Sequence, residues 1–62
     1  MEYDIGIWYH ITLNNDHEYD VRYMHSKKDD FYYFLDCKGN KVPADKVIPN
    51  IKKSFIAGNP CP

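Results

Sequence analysis

The sequence predicts an all-β domain: five short strands in an antiparallel meander, curled into a small barrel. Three observations carry this. Apolar and polar residues alternate with a period of two along YDIGIWYHITL (residues 3–13) and again along EYDVRYMH (residues 18–25), the pattern of half-buried strands. Turn chemistry separates these runs from the next ones. The third observation is length, since 62 residues hold one small core and no second domain. A chain this short cannot leave a long sheet edge open and stay soluble, so a curled sheet is the economical solution.

The elements follow in order. In residues 3–13, Ile5, Ile7, Tyr9, Ile11 and Leu13 share one face. The run NNDH (14–17) is a turn, because Asn and Asp tolerate left-handed backbone. In the second strand Tyr19, Val21 and Tyr23 face inward, and SKKDD (26–30) is a polar loop. The third strand, FYYFLDC (31–37), places four aromatics consecutively, so both of its faces are aromatic; Phe31, Tyr33 and Leu35 are expected inward. Gly39 supplies the positive φ of a hairpin at Lys38, Gly39 and Asn40. Lys41 and Val42 open a short fourth strand that Pro43 ends, because proline lacks an amide donor.

Residues 44–47 suit a 3₁₀ turn, and Ile48–Ile51 a fifth strand interrupted at Pro49. Ile51, Phe55 and Ile56 before Gly58 suit a terminal strand or helical turn. The barrel is expected over residues 1–57, with 58–62 a flexible C-terminal tail. The expected core is Ile5, Ile7, Ile11, Val21, Tyr23, Phe31, Tyr33, Leu35, Val42 and Val47.

Residues 30–48 resemble the second half of an SH3 domain. Asp30, Phe31 and Tyr32 match the acid and adjacent aromatics that open a central strand of that family, and Lys38 and Gly39 match its distal hairpin. Pro43, Ala44, Asp45, Lys46 and Val47 match the turn before its last strand. The resemblance covers about a third of the chain and implies an SH3-like barrel. The chain departs from the family where function lies. Lys46 stands where a groove-lining Tyr is usual, the first-strand Ala-Leu-Tyr-Asp-Tyr run is missing, and the loop at 14–17 is short. Typical proline-rich peptide recognition is therefore not expected.

Two cysteines, Cys37 and Cys61, form no CxxC pair and follow no signal-peptide pattern. Reduced thiols of a cytoplasmic protein are the simpler reading, and a disulfide tying down the tail is the alternative. No apolar run reaches transmembrane length, so no membrane association is expected. The net charge of −1 hides an asymmetry. Residues 1–36 carry eight acids against Arg22, Lys27 and Lys28, whereas residues 37–62 carry five lysines against Asp45. A uniform basic footprint for duplex DNA is absent.

No catalytic constellation, metal-ligand spacing or cofactor motif stands out, so no enzyme activity and no cofactor are expected. The acids Asp16, Glu18, Asp20, Asp29 and Asp30 sit in or beside two loops that could flank one groove. Trp8 and Tyr32, with Phe34, fall opposite the expected core residues, and exposed aromatics are frequent anchors at protein interfaces. Phe34 is expected in a second small core that Phe55 and Ile56 complete. The leading expectation is a non-enzymatic protein-binding module, an adaptor or inhibitor of the kind phages and mobile elements encode. It would engage a basic or mixed patch through Trp8, Tyr32 and those acids, as a monomer or homodimer. The alternative is single-stranded nucleic-acid binding, with Lys38, Lys41 and Lys46 beside Tyr32 as the groove.

Overall fold

The computed structural model describes residues 3–62. Its strands are β1 (Trp8–Leu13), β2 (Glu18–Ser26), β3 (Phe31–Asp36), β4 (Lys41–Pro43) and β5 (Ile51–Ile56). Between β4 and β5 lie a single helical turn, α1 (Ala44–Val47), and a 3₁₀ turn at Ile48–Asn50. All five strands belong to one antiparallel sheet in the order β4-β3-β2-β1-β5. The all-β expectation and the meander through β1–β4 hold. The sheet is small, and among the described residues its edge strands β4 and β5 share no ladder; the segment 44–50 connects them, an arrangement compatible with a small barrel-like fold.

Strand pairing fixes the faces. Tyr9 pairs with Val21, Val21 with Asp36, Tyr23 with Phe34, and Phe34 with Val42. These residues therefore share one side, the core face, because opposed residues in a ladder point the same way. Tyr9, Ile11, Val21 and Phe34 are buried there together with Ala44 of α1, and Val47, Ile48 and Ile51 pack against them. Tyr3 completes this core. Its ring meets Tyr9 edge-on at 4.8 Å and Phe34 edge-on at 5.5 Å, the arrangement that ring quadrupoles favour.

Several expectations need correction. β1 begins at Trp8 rather than residue 3, because Gly6 takes φ 86° in a turn. Ile5 and Ile7 are consequently exposed. In β3 the inward phase is shifted by one residue. Phe34 has no solvent exposure at all, whereas Phe31 is 37% exposed and Leu35 half-buried. The cause is the register of the β2–β3 hairpin, in which Ser26 pairs with Phe31. Both phases of FYYF are aromatic, so composition could not choose between them. Phe34 does not join Phe55 and Ile56, which are exposed. Tyr33 is buried on the opposite, outer face and Val42 is 46% exposed.

Residues 44–47 form an α rather than a 3₁₀ turn, and the 3₁₀ turn follows at 48–50 around Pro49. The last strand is longer and later than expected, and no terminal helical turn forms. A bulge between Thr12 and Leu13 adjusts β1 to β5.

The thiols are not free. Cys37 and Cys61 form a disulfide, with Cα atoms 5.5 Å apart. Residue 61 is thus crosslinked to the end of β3, which corrects the expectation of reduced thiols and of a loose tail. In sheet order the crosslink spans β1 and β2, from the tail following β5 to the turn following β3.

Candidate functional site

The predicted site residues fall into three separate places. Trp8 opens β1 on the outer face, half-buried and opposite Arg22. Tyr32 lies on the core-face side of β3, opposite His25, so Trp8 and Tyr32 point to opposite sides of the sheet. The two acidic loops also part company. They lie at opposite ends of the nine-residue β2, roughly 30 Å apart by strand rise, and do not flank one groove.

At the β2–β3 turn, Tyr32 stays 47% exposed and stacks on Tyr23 with planes 8° apart and centroids at 5.4 Å. Burial, with the neighbouring Tyr32 phenol, pushes the Tyr23 hydroxyl above its ordinary pKa. His25 lies 4.5 Å from the Tyr32 ring, and its Nε2 is 3.2 Å from Asp30. Asp30 takes φ 50°, the left-handed backbone that Asp tolerates. Asp29 accepts a hydrogen bond from the Ser26 hydroxyl, and its own N–H donates back to that oxygen. Tyr32, His25 and Asp30 form one small polar-aromatic cluster, and Asp29 lies in the adjoining turn against Ser26.

At the other end, on the outer face, His10 sits between two carboxylates. Its Nδ1 is 2.9 Å from Asp20 and its Nε2 2.9 Å from Glu18, and the Phe55 ring lies 5.2 Å away. The Glu18 carboxylate first, then that of Asp20, raise the His10 pKa above its ordinary value, because both hydrogen bonds favour imidazolium. The register of the 14–17 turn creates this clamp: it sets Asp20 opposite His10 and Glu18 one position along the same face. Asp16 in that turn, at φ 68°, pairs with Lys52 of β5 at 2.5 Å. The acidic and basic halves of the sequence are thereby interleaved at the β1–β5 edge.

The lysines do not form the groove proposed for nucleic acid. Lys38 is in the β3–β4 turn and Lys46 on α1, both exposed. The Lys41 ammonium lies 5.0 Å from the Tyr33 ring, a buried ring on the outer face. Tyr32 is on the other side of the sheet.

Sequence reasoning missed a cleft on the core face, of ≈ 300 Å³. Ile11, Leu13, Val21, Phe34 and Val47 line its interior, with the half-exposed Tyr19 and Val42 at its mouth and Asp36 and Asn40 also lining it. It exists because α1 covers only part of the sheet: Tyr3 seals one end of the core, and the end near the β3–β4 turn is open. The Asp36 carboxylate organises that turn. Oδ1 accepts from the N–H groups of Lys38 and Asn40, both at 2.9 Å, and Oδ2 from Asn40 Nδ2 at 3.0 Å. The Asn40 side chain first, then its backbone N–H, hold the Asp36 carboxyl below the usual carboxylate range. The one sequence signal was the spacing of Asp36 and Asn40 around Gly39.

Among the described residues no cluster of three or more His, Cys, Asp or Glu is arranged to hold a metal ion. No helix there is long and apolar enough to cross a membrane. The chain matches no family model, and comparisons with curated proteins and with solved structures find no match.

Proposed function

We propose that this chain is a protein-binding module on an SH3-like barrel, acting as an adaptor or inhibitor by occupying a partner's surface and not by catalysis. The observation that carries the reading is the core-face cleft. It reaches down to the hydrophobic centre between Tyr19 and Val42, which are 47% and 46% exposed. Its volume is at the lower end of ligand sites, about 300–1,000 Å³, which suits an inserted side chain. Partly exposed aromatic and aliphatic side chains around a largely apolar pocket suit an interface anchor. The partner is another protein with a basic or mixed patch.

The Cys37–Cys61 disulfide supports an oxidising compartment as the place of action, in preference to the cytoplasm expected from the sequence. The scattered lysines give single-stranded nucleic acid no comparable support.

Selection of random displayed peptides against the wild-type domain, repeated with a Val47→Arg variant, tests the reading. The expected result is enriched peptides whose binding falls at least about tenfold in the variant, a loss of about 1.4 kcal/mol. Absence of enrichment, or salt-sensitive tyrosine and tryptophan quenching by oligonucleotides instead, would sink it.

A further inference from the structure

Taking the module reading as its basis, we propose that the cleft selects a bulky aliphatic side chain flanked by a cation, as in a Leu-Lys or Leu-Arg step of a partner chain. The interior is apolar on every side, supplied by Ile11, Leu13, Val21, Phe34 and Val47. An aliphatic group placed there loses water without leaving any polar group unpaired. Apart from the Tyr19 hydroxyl at the mouth, the polar lining is Asp36 and Asn40, and the hydrogen bonds of that turn converge on the Asp36 carboxylate. Asn40 Nδ2 donates to Asp36 Oδ2, and both backbone N–H groups of the turn that reach Asp36 donate to Oδ1.

Those contacts turn one Asn40 amide hydrogen and two backbone N–H groups onto Asp36 and leave acceptor capacity over on its carboxylate. An ionised carboxylate takes about four hydrogen bonds, and this one takes three inside the turn. The same three bonds favour its ionised form. The cleft therefore presents a fixed negative charge beside an apolar hole. A cation adjacent to the inserted side chain matches that charge, whereas an anion there meets repulsion. Lys38 on the same turn is exposed, which moderates the field without supplying a donor inside the cleft.

The experiment is a titration of the isotope-labelled full chain, followed by amide chemical shifts. The probes are three blocked tetrapeptides, Ala-Leu-Lys-Ala, Ala-Leu-Gln-Ala and Ala-Leu-Glu-Ala. The expected result is saturable shifts at Leu13, Tyr19, Val42 and Val47, with the Lys peptide about three- to tenfold tighter than the Glu peptide at low salt, the range of one partly exposed charged contact. That ratio should shrink as salt is raised and vanish in Asp36→Asn, while Val47→Phe abolishes binding of all three. Equal affinities for the three peptides would overturn the cation preference and leave the module reading intact. Display-selected ligands that bind while none of the three peptides shifts the cleft would overturn the cleft's assignment alone. Cleft shifts that depend on protein concentration without peptide would name a second copy as occupant, and also overturn it.

Discussion

The two faces of the sheet are held by different means. On the core face Phe34, Ile11 and Val21 are buried under Ala44, Val47 and Tyr3, and cohesion comes from filled volume. On the outer face no helical turn belongs to the packed cluster, and cohesion comes from pairs across strands: His10 with Glu18 and Asp20, and Lys41 over Tyr33. Volume is insensitive to pH and sensitive to truncation, whereas clamped charges are the reverse. In a chain with aromatics on both faces, burial alone does not distinguish them, but perturbation does.

The sharpest separation is Phe34→Ala against Leu35→Ala. Phe34 has no exposure, and truncating such a ring costs about 3–5 kcal/mol, comparable to the whole stability of a domain this small. Leu35 is half-buried on the outer face, and its truncation is expected to cost about 1–2 kcal/mol. Urea unfolding of both variants measures the gap, and equal losses would erase the distinction between faces.

Next in size is the crosslink. Cys61→Ser opens a loop with sequence separation 24 and is expected to remove roughly 2–4 kcal/mol. A thermal melt with and without reductant checks it, and the variant should melt alike in both.

The third test uses pH. The carboxylates of Glu18 and Asp20 raise the His10 pKa in the folded state. Their stabilisation is therefore fully present below the unfolded value near 6.5 and is lost as pH rises through the raised value. Melting temperature should decline across that interval in wild type and stay level in His10→Gln. Asp36, lowered by Asn40, acts with the opposite sign: its contribution is present above about 3.9 and lost as pH falls through the depressed value.

The smallest effect is expected for Asp16→Asn. Its pair with Lys52 has side-chain exposures of 75% and 54%, and such surface pairs contribute about 0–1 kcal/mol. A larger loss would mean that the β1–β5 edge is held by charge.

The strands were legible in the sequence because alternation at Tyr9, Ile11, Val21 and Tyr23 is set by backbone geometry alone. The turns were legible because Asp16 and Gly39 supply the positive φ those positions need. The phase of β3 was not, since Phe31, Tyr32, Tyr33 and Phe34 satisfy either face and only the β2–β3 hairpin register decides. The disulfide was open because the sequence did not place Cys61 beside Cys37; the pairing of β5 with β1 brings it there. The acids were legible as a set but not as partners: Glu18 and Asp20 meet His10, and Asp30 meets His25, through register. The cleft had no sequence signature, because it is a gap left by how far α1 reaches.

The placement of β5 beside β1 sets an order of events. Four strands can assemble from local hairpins, each closing a short loop, but β5 must return across the chain to β1, the slow kind of contact. Until it arrives, the edge at Trp8, His10 and Thr12 offers unpaired backbone to any passing strand. Docking of β5 holds Cys61 beside Cys37, and the crosslink in turn shortens the return of β5 to β1, so the ladder and the disulfide favour one another.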